Sequence, residues 1–398
     1  MSDKLEHEPV AAGPPAVGVR TIDRRGPART TVVRNLADMD TVREAWSELQ
    51  ATLVQPSPLR SFEYARLWYE TFAEPSHVRL FQIADSERVI GILPMTLSNR
   101  HGIRVLTGLT NSHCLHAEPL IVPGYEAAFA ERLVRELVDH ESDWDLVDYE
   151  FAYSFERPEP LLHSELLKRF NLRFAQRAEP TFITDLDQDF EQYIAGLSRE
   201  ARRMFRRTGE RLNNLGEPRY VHRQGAEAVA AWQVLVGIED AGWKGRNGTS
   251  IARCDARCRR FYEAFVRLLA EQDALHLFEL QINDHPIAAA FGYVDGGTLH
   301  YLKAAYDETY HETSPSNNLL REVIRDCMQN YPEIALLHLF PWDSGYKYRF
   351  ATQETHAYET IAFSPSLRGR VVGALFGLKE RLKRITPLRR AVQRLRGR

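Results

Sequence analysis

The chain has 398 residues and a mass of 45.8 kDa, enough for two domains of ordinary size. Its 44% apolar, 26% charged and 10% aromatic residues exclude wholesale disorder, a collagen-like repeat and a disulfide scaffold. The net charge of −3 conceals a division: residues 368–398 hold eleven Lys/Arg and one acid, which leaves −13 for residues 1–367.

Residues 1–29, with four prolines and little apolar periodicity, read as a flexible leader. The first residues are acidic and polar, unlike a signal peptide. No apolar run approaches the roughly 18 residues of a spanning helix, and four cysteines are too few for a secreted disulfide framework. A cytoplasmic protein is expected. TTVVRN from Thr31 predicts a strand and Asp38 to Leu53 a helix. Ser61 to Phe72 predicts a helix with a serine start signal. Val78–Ala84 and Val89–Leu97 read as a hairpin, followed by a strand at Arg104–Leu109, a helix at Tyr125–His140 and a buried strand at Leu146–Phe151.

The second half repeats this grammar. Leu275–Ile282, Ile287–Val294 and Thr298–Ala305 predict three strands, Asn317–Asn330 a helix and Ile334–Leu339 a short strand. Aligning the two hairpins sets Ile90 against Ile287, and the two short strands set Val147 against Leu337. Offsets of 197 and 190 suggest an internal duplication, although two generic hairpins can coincide. Each half is then a mostly antiparallel sheet with helices packed on it, an α+β architecture in tandem. The expected division is 30–180 and 181–366, with a basic tail at 367–398.

A set of segments carries a resemblance: LSREARRMFRRTGERLNNLG at 197–216, AGWKGRNGT at 241–249, HPIAAAFGY at 285–293, AYD at 305–307, SPSNNLL at 314–320 and DSGYKYRF at 343–350. Their order and spacing resemble the GNAT-type acyltransferases associated with cellulose and exopolysaccharide biosynthesis (the CelD/BcsL type). These are similar in architecture to the FemAB aminoacyltransferases. The resemblance covers about residues 30–360. It implies two GNAT-like folds and acyl transfer from a thioester such as acetyl-CoA, a longer acyl-CoA or an acyl carrier protein, with no permanently bound cofactor. The superfamily's usual Arg/Gln-x-x-Gly-x-Gly/Ala loop is absent, and Ser316 stands where a glycine often follows Ser-Pro.

The candidate site residues are read from their chemistry. Ser314, Ser316 and Asn317 surround Pro315 at a helix start, where free N–H groups and the dipole suit an anion; ordinary capping explains them equally. Trp243 and Lys244, in a glycine-flanked loop, can stack on and charge-pair a ligand, or cap the core and face solvent. Asp343 can serve as general base and Tyr346 or Tyr348 as proton donor to a leaving thiolate. Lys347 can neutralise a phosphate or an oxyanion, or simply pair with Asp343 on the surface. His300, Leu302 and Ala304 are expected on one strand face, with Tyr301, Lys303 and Ala305 on the other. One of those faces is expected to line a cleft, with Tyr306 and Asp307 at the strand end. Arg203 and its neighbours Arg199, Arg202, Arg206, Arg207 and Arg211 crowd one helix and suit a phosphate-rich partner, or form a solvated face. Cys254 and Cys258 lack the further ligands a metal needs, so no metal is expected.

The tail carries apolar residues at spacings of 3 and 4 from Val371 to Leu395, with bases on its other faces and Pro387 as a kink. It suits an anionic membrane surface, or docking on the acidic body. The expected function is acyl transfer to an amine or hydroxyl of a sugar or lipid-linked envelope precursor. The alternatives are a FemAB-like transferase fed by aminoacyl-tRNA and a non-catalytic membrane scaffold. DNA is not an expected partner, and tRNA is disfavoured.

Overall fold

The computed structural model describes residues 29–53, 57–111, 118–139, 142–150, 164–341 and 345–384. The expected leader up to residue 28, Asp343, Cys114 and the tail beyond residue 384, with its Pro387, lie outside these.

The first half runs β1 (Arg29–Val33), α1 (Arg43–Gln50), α2 (Phe62–Phe72), β2 (Val78–Asp85), β3 (Arg88–Arg100), β4 (Ile103–Gly108), β5 (Leu120–Ile121), α3 (Glu126–Asp139), β6 (Leu146–Glu150), α4 (Ser164–Arg169) and β7 (Arg173–Asp185). After the linking helices α5 (Phe190–Gly196) and α6 (Arg199–Asn213), the second half repeats the series. It comprises β8 (Pro218–Gln224), α7 (Gly225–Ala241), α8 (Trp243–Arg246), α9 (Ala256–Glu271), β9 (Leu275–Ile282), β10 (His285–Asp295), β11 (Thr298–Tyr306), α10 (Pro315–Asn330), β12 (Leu336–Pro341) and β13 (Gln353–Phe363). Helix α11 (Leu367–Arg384) follows.

Local chemistry fixes several of these ends. Ser61 Oγ accepts the Tyr64 N–H at 3.1 Å and so starts α2, the serine signal expected from sequence. Asp255 does the same for α9, and Ser198 for α6. On α6 the residues Ala201, Phe205, Thr208 and Leu212 recur at helical spacing and are buried, which turns its arginines outward.

All strands but one lie along a single 13-stranded sheet in the order β1-β2-β3-β4-β6-β13-β7-β12-β11-β10-β9-β8, and β5 pairs with β3 off that path. The order is a palindrome when each strand of one half is exchanged for its counterpart in the other. Only β4·β6 and β11·β12 are parallel, each over three residue pairs centred on Leu106–Val147 and Leu299–Leu337. Ile90 and Ile287 are each the extra residue of a bulge, in β3 and β10, and each is fully buried. A bulge at the same place in both hairpins is a shared design rather than a coincidence of generic turns. The closing strands are exchanged: β7 pairs with β12, β13 pairs with β6, and β7 and β13 pair with each other along eleven residues. A division between residues 180 and 181 falls inside β7.

Helices α1, α2, α7 and α9 share one core on one side of the sheet, while α3 and α10 sit in two further cores. The two halves meet where α2 packs on α9, with Phe72 and Phe261 rings 4.9 Å apart and Tyr64 and Phe265 5.7 Å apart. Burying such rings contributes about 1.5–3 kcal/mol each, so this contact helps hold the halves together as one body.

Candidate active site

Strands β11 and β12 run in parallel only from Thr298 to His300 against Leu336 to His338, and then part. Two features force the separation. Tyr301 and Leu302 together oppose Gly292 on β10, a bulge that bends β11. On β12, Phe340 takes a left-handed φ of 61°, a costly conformation for a bulky residue, and the register with β7 shifts between His338 and Pro341. Lys347 secures that end of β12. Its ammonium is buried and donates to Phe340 O at 3.0 Å and Pro341 O at 2.8 Å. These carbonyls lie at the end of β12, where its register with β7 shifts.

The gap opens into a cavity of about 340 Å³, within the range of roughly 300–1,000 Å³ typical of small-molecule sites. Tyr301, Ala304 and Tyr306 of β11 form one wall, and Tyr346 closes the other. Ser314, Ser316 and Asn317 at the start of α10 border it, as do Trp243 and Lys244. Tyr306, Tyr346, Ser314, Ser316, Asn317, Trp243 and Lys244, all expected at a site from sequence, therefore come together.

The remaining candidates are placed differently. Lys347 binds strand carbonyls and is not in the cavity lining. Asp307 caps the 3-10 helix Glu308–Thr313, accepting from Thr309 N at 2.9 Å. Arg203 is exposed on α6, and Tyr348 is half exposed with its ring on Phe182. His300 is buried, stacked on Tyr293 with centroids 4.8 Å apart, its Nδ1 3.1 Å from His338 Nδ1. His338 Nε2 in turn lies 2.8 Å from Thr181 Oγ1. The expected alternation of Tyr301 with Lys303 and Ala305 is corrected by the bulge: Tyr301 joins the core under α10, whereas Ala305 faces the α7–α9 side. His300 and Lys303 each find a buried partner, while the cleft is lined by other β11 residues, Tyr301, Ala304 and Tyr306 among them.

The partner of Lys303 was not legible in the sequence. Glu239, 3% exposed at the end of α7, lines the cavity. It accepts from Lys244 Nζ at 2.8 Å and Ile251 N at 2.7 Å, with Lys303 Nζ at 3.5 Å. Burial alone pushes its carboxyl up, but Lys303, Lys244 and the Ile251 N–H outweigh that and hold it below the usual range. Burial lowers Lys303 from its ordinary value. Residues Trp243 to Arg246 form a helical turn rather than an open loop. Glycine is required at 245, because a Cβ there would lie 1.8 Å from Asp240 O. Glu308 ties that turn to the strand end, accepting the Trp243 N–H at 2.8 Å and Arg246 Nη2 at 2.6 Å. His311 also borders the cavity, its Nδ1 3.1 Å from Glu308 O.

At the start of α10, Ser314 adopts a left-handed φ of 50° and its side chain makes no capping bond. Its carbonyl takes the Asn317 and Asn318 N–H groups, each at 3.1 Å. The counterpart helix α3 differs: Glu126 stands in its first turn and accepts the Gly124 N–H at 3.2 Å. A carboxylate thus occupies the helix start in one half, and uncharged Ser316 and Asn317 in the other.

The Tyr301 hydroxyl is buried with no hydrogen-bond partner among the described residues. Such a group costs about 1–3 kcal/mol, so Tyr301→Phe should raise Tm by about 2 °C in calorimetric melting. A lower Tm would refute this account of the hydroxyl.

Comparison with known proteins gives the class. Residues 199–348 match the family described as acetyltransferase (GNAT) domain. The chain carries a GNAT acyltransferase domain. GNAT domains generally use acetyl-CoA as co-substrate. The structure of FemX is similar with a TM-score of 0.54 at 10% identity, over 83% of this chain and 96% of that one. The C-terminal domain of a putative lysylphosphatidylglycerol synthetase from Agrobacterium fabrum is similar with a TM-score of 0.51 at 8% identity, over 84% and 95%. A tandem GNAT protein from the clavulanic acid biosynthesis pathway gives 0.45 at 12% identity, over 85% and 100%. At these identities the likeness is one of fold. No curated protein matches the chain in sequence. Among the described residues, no cluster of His, Cys, Asp or Glu could hold a metal, and no helix is long and apolar enough to cross a membrane.

Proposed function

We propose that the chain transfers an acetyl or longer acyl group from acyl-CoA to an amine or hydroxyl of a sugar or lipid-linked envelope precursor, as exopolysaccharide-associated GNAT acyltransferases do. The observation that carries the reading is the uncapped start of α10, which faces the cavity where β11 and β12 part. An acyl-CoA is an extended arm with two amides and a diphosphate. The arm suits the unpaired edges of the diverging strands, and the diphosphate suits the helix start.

In this reading the acceptor enters beside Trp243, which is 53% exposed and offers a stacking face for a sugar ring. His311 Nδ1–H donates to the Glu308 carbonyl, which leaves Nε2 to take the acceptor proton. The acceptor's lone pair forms the new C–N or C–O bond and the C–S bond breaks. Tyr346 then supplies a proton to the departing thiolate. Glu239 fixes Lys244 at the cavity edge and takes no part as a base, since Lys303, Lys244 and the Ile251 N–H hold its carboxyl below the usual range and so make it a weak proton acceptor.

Thermal melting of the full chain tests the donor. Acetyl-CoA at a hundredfold over its Kd should add about 2.7 kcal/mol of stability, and Trp243→Ala should retain that shift while losing transfer to sugar acceptors. No shift with any CoA thioester would overturn the reading. A second reading takes aminoacyl-tRNA as donor, favoured by the exposed arginines Arg203, Arg206 and Arg207 of α6; stabilisation by tRNA alone, weakening with salt, would select it.

A further inference from the structure

Helix α11 lies on the body by one face only. Gly369 and Gly373 allow the close approach: a Cβ at 369 would meet Ser364 Oγ at 2.3 Å, and one at 373 would meet Phe363 at 3.0 Å. Phe376 packs on Phe363 with centroids 5.4 Å apart, and Arg177 lies 5.2 Å from the Phe376 ring. Glu380, the one acid from residue 368 onward, turns the same way and pairs with Arg177 at 3.6 Å.

The opposite face is apolar and uncovered. Leu367, Val371, Leu375, Leu378 and Leu382 are 81%, 52%, 60%, 54% and 42% exposed. At about 100° per residue they fall within an arc of about 80°. Lys379 flanks that arc on one side and Arg370 and Arg381 on the other, while Arg368, beside Lys379, donates to Gly102 O at 2.7 Å and pairs with Asp145 at 3.4 Å on the body. Among the described residues, the other large exposed apolar side chains are Leu215, Trp243 and Tyr348, which are scattered along the chain. The described surface therefore offers a second copy no matching stripe except α11 itself, and pairing two such helices would set base against base.

We propose that α11 docks this face on an anionic lipid surface, lying in the interface with its leucines in the acyl boundary and its flanking bases among the headgroups. The chemistry is complementary on both counts, since the stripe takes up hydrocarbon and the bases take up negative charge without an outward-facing acid to oppose them. The five Arg residues between 389 and 398 continue the same charge. This inference is independent of the transfer reaction.

Co-sedimentation of the full chain with vesicles tests it. Vesicles of phosphatidylcholine with about one-third phosphatidylglycerol should capture the chain, pure phosphatidylcholine should bind it at least tenfold more weakly, and raised salt should release it. Leu375→Glu/Leu378→Glu should lose about a hundredfold in vesicle affinity with Tm unchanged, because both side chains are already exposed. Lys379→Glu/Arg381→Glu should lose about tenfold or more, on anionic vesicles only. Equal binding to neutral and anionic vesicles would overturn the proposal, as would unchanged binding by the leucine variant. So would a full chain that binds no vesicles but forms a dimer broken by the leucine variant. Binding seen only after residues 385–398 are removed would also overturn it, by assigning the stripe to that segment.

Discussion

Replacing Ser316 by aspartate should raise the KM for acetyl-CoA about thirtyfold and leave Tm unchanged or slightly higher. The opposing directions follow from one helix end. A carboxylate in the first turn of α10 meets the positive end of the dipole and adds about 0.3–1 kcal/mol of stability. The same charge occupies the place offered to the diphosphate, where a like charge a few ångströms away costs about 2 kcal/mol at a partly solvated site, which is roughly thirtyfold in affinity. Steady-state kinetics with acetyl-CoA as the varied substrate, beside a melting curve, reads both. An unchanged KM would remove the helix start from the donor site. Helix α3 already carries such an acid in its first turn, Glu126, so the substitution would give α10 the charge its counterpart has.

Glu239→Gln should cost about 3 kcal/mol of stability and most of the transferase activity. The amide keeps the shape but not the charge, and Lys303, with a side chain only 18% exposed, loses its counter-ion. Removing one partner of a buried ion pair typically costs about 3–5 kcal/mol, and the low end applies here because Lys244 is more open to water. Lys303→Met added to Glu239→Gln should recover part of the loss, and a double-mutant cycle in urea measures the coupling. Independent, additive effects of the two substitutions would sink this account. The pH dependence follows the sign of the shift. Because Glu239 is held below its ordinary value, its contribution is present above the unfolded carboxyl's pKa, near 4.5. It is lost as pH falls through the lower folded value. The glutamine variant should therefore lose less stability on acidification than the parent.

Much of the fold was legible because its strands and helices announce themselves locally. The hairpins β2–β3 and β9–β10 alternate or run apolar, and α2 begins on Ser61. The two strands at the centre of the sheet gave no such signal. β7 carries Arg173, Arg177 and Glu179 and sets Pro180 opposite His356, although proline removes a ladder donor and argues against a central strand. β13 is polar through its first half, QETHAYE. Their identity as strands comes from tertiary pairing rather than from their own pattern.

The site was legible where chemistry coincided with a turn signal. Ser-Pro-Ser-Asn marked the start of α10, whereas the glycines around Trp243 read as a loop although the segment folds as a helical turn. Glu239 ends an apolar run and is followed directly by Asp240, and nothing local says that two lysines from different elements will meet it. His311 and Glu308 belong to a 3-10 turn that has no periodicity to read. Lys347 had the right residue type at the right place in the chain, but its ammonium is drawn to carbonyls at the end of β12.

The exchange of β7 and β13 means that neither half completes its own sheet. The segment bearing Tyr346 and Lys347 runs from β12 directly into β13, and β13 is fastened to β6 at Leu146–Glu150. One wall of the cavity is therefore moored in the half that contributes no residue to its lining. The β6·β13 ladder thus ties the first half by continuous backbone to Tyr346, at a cleft the first half does not touch.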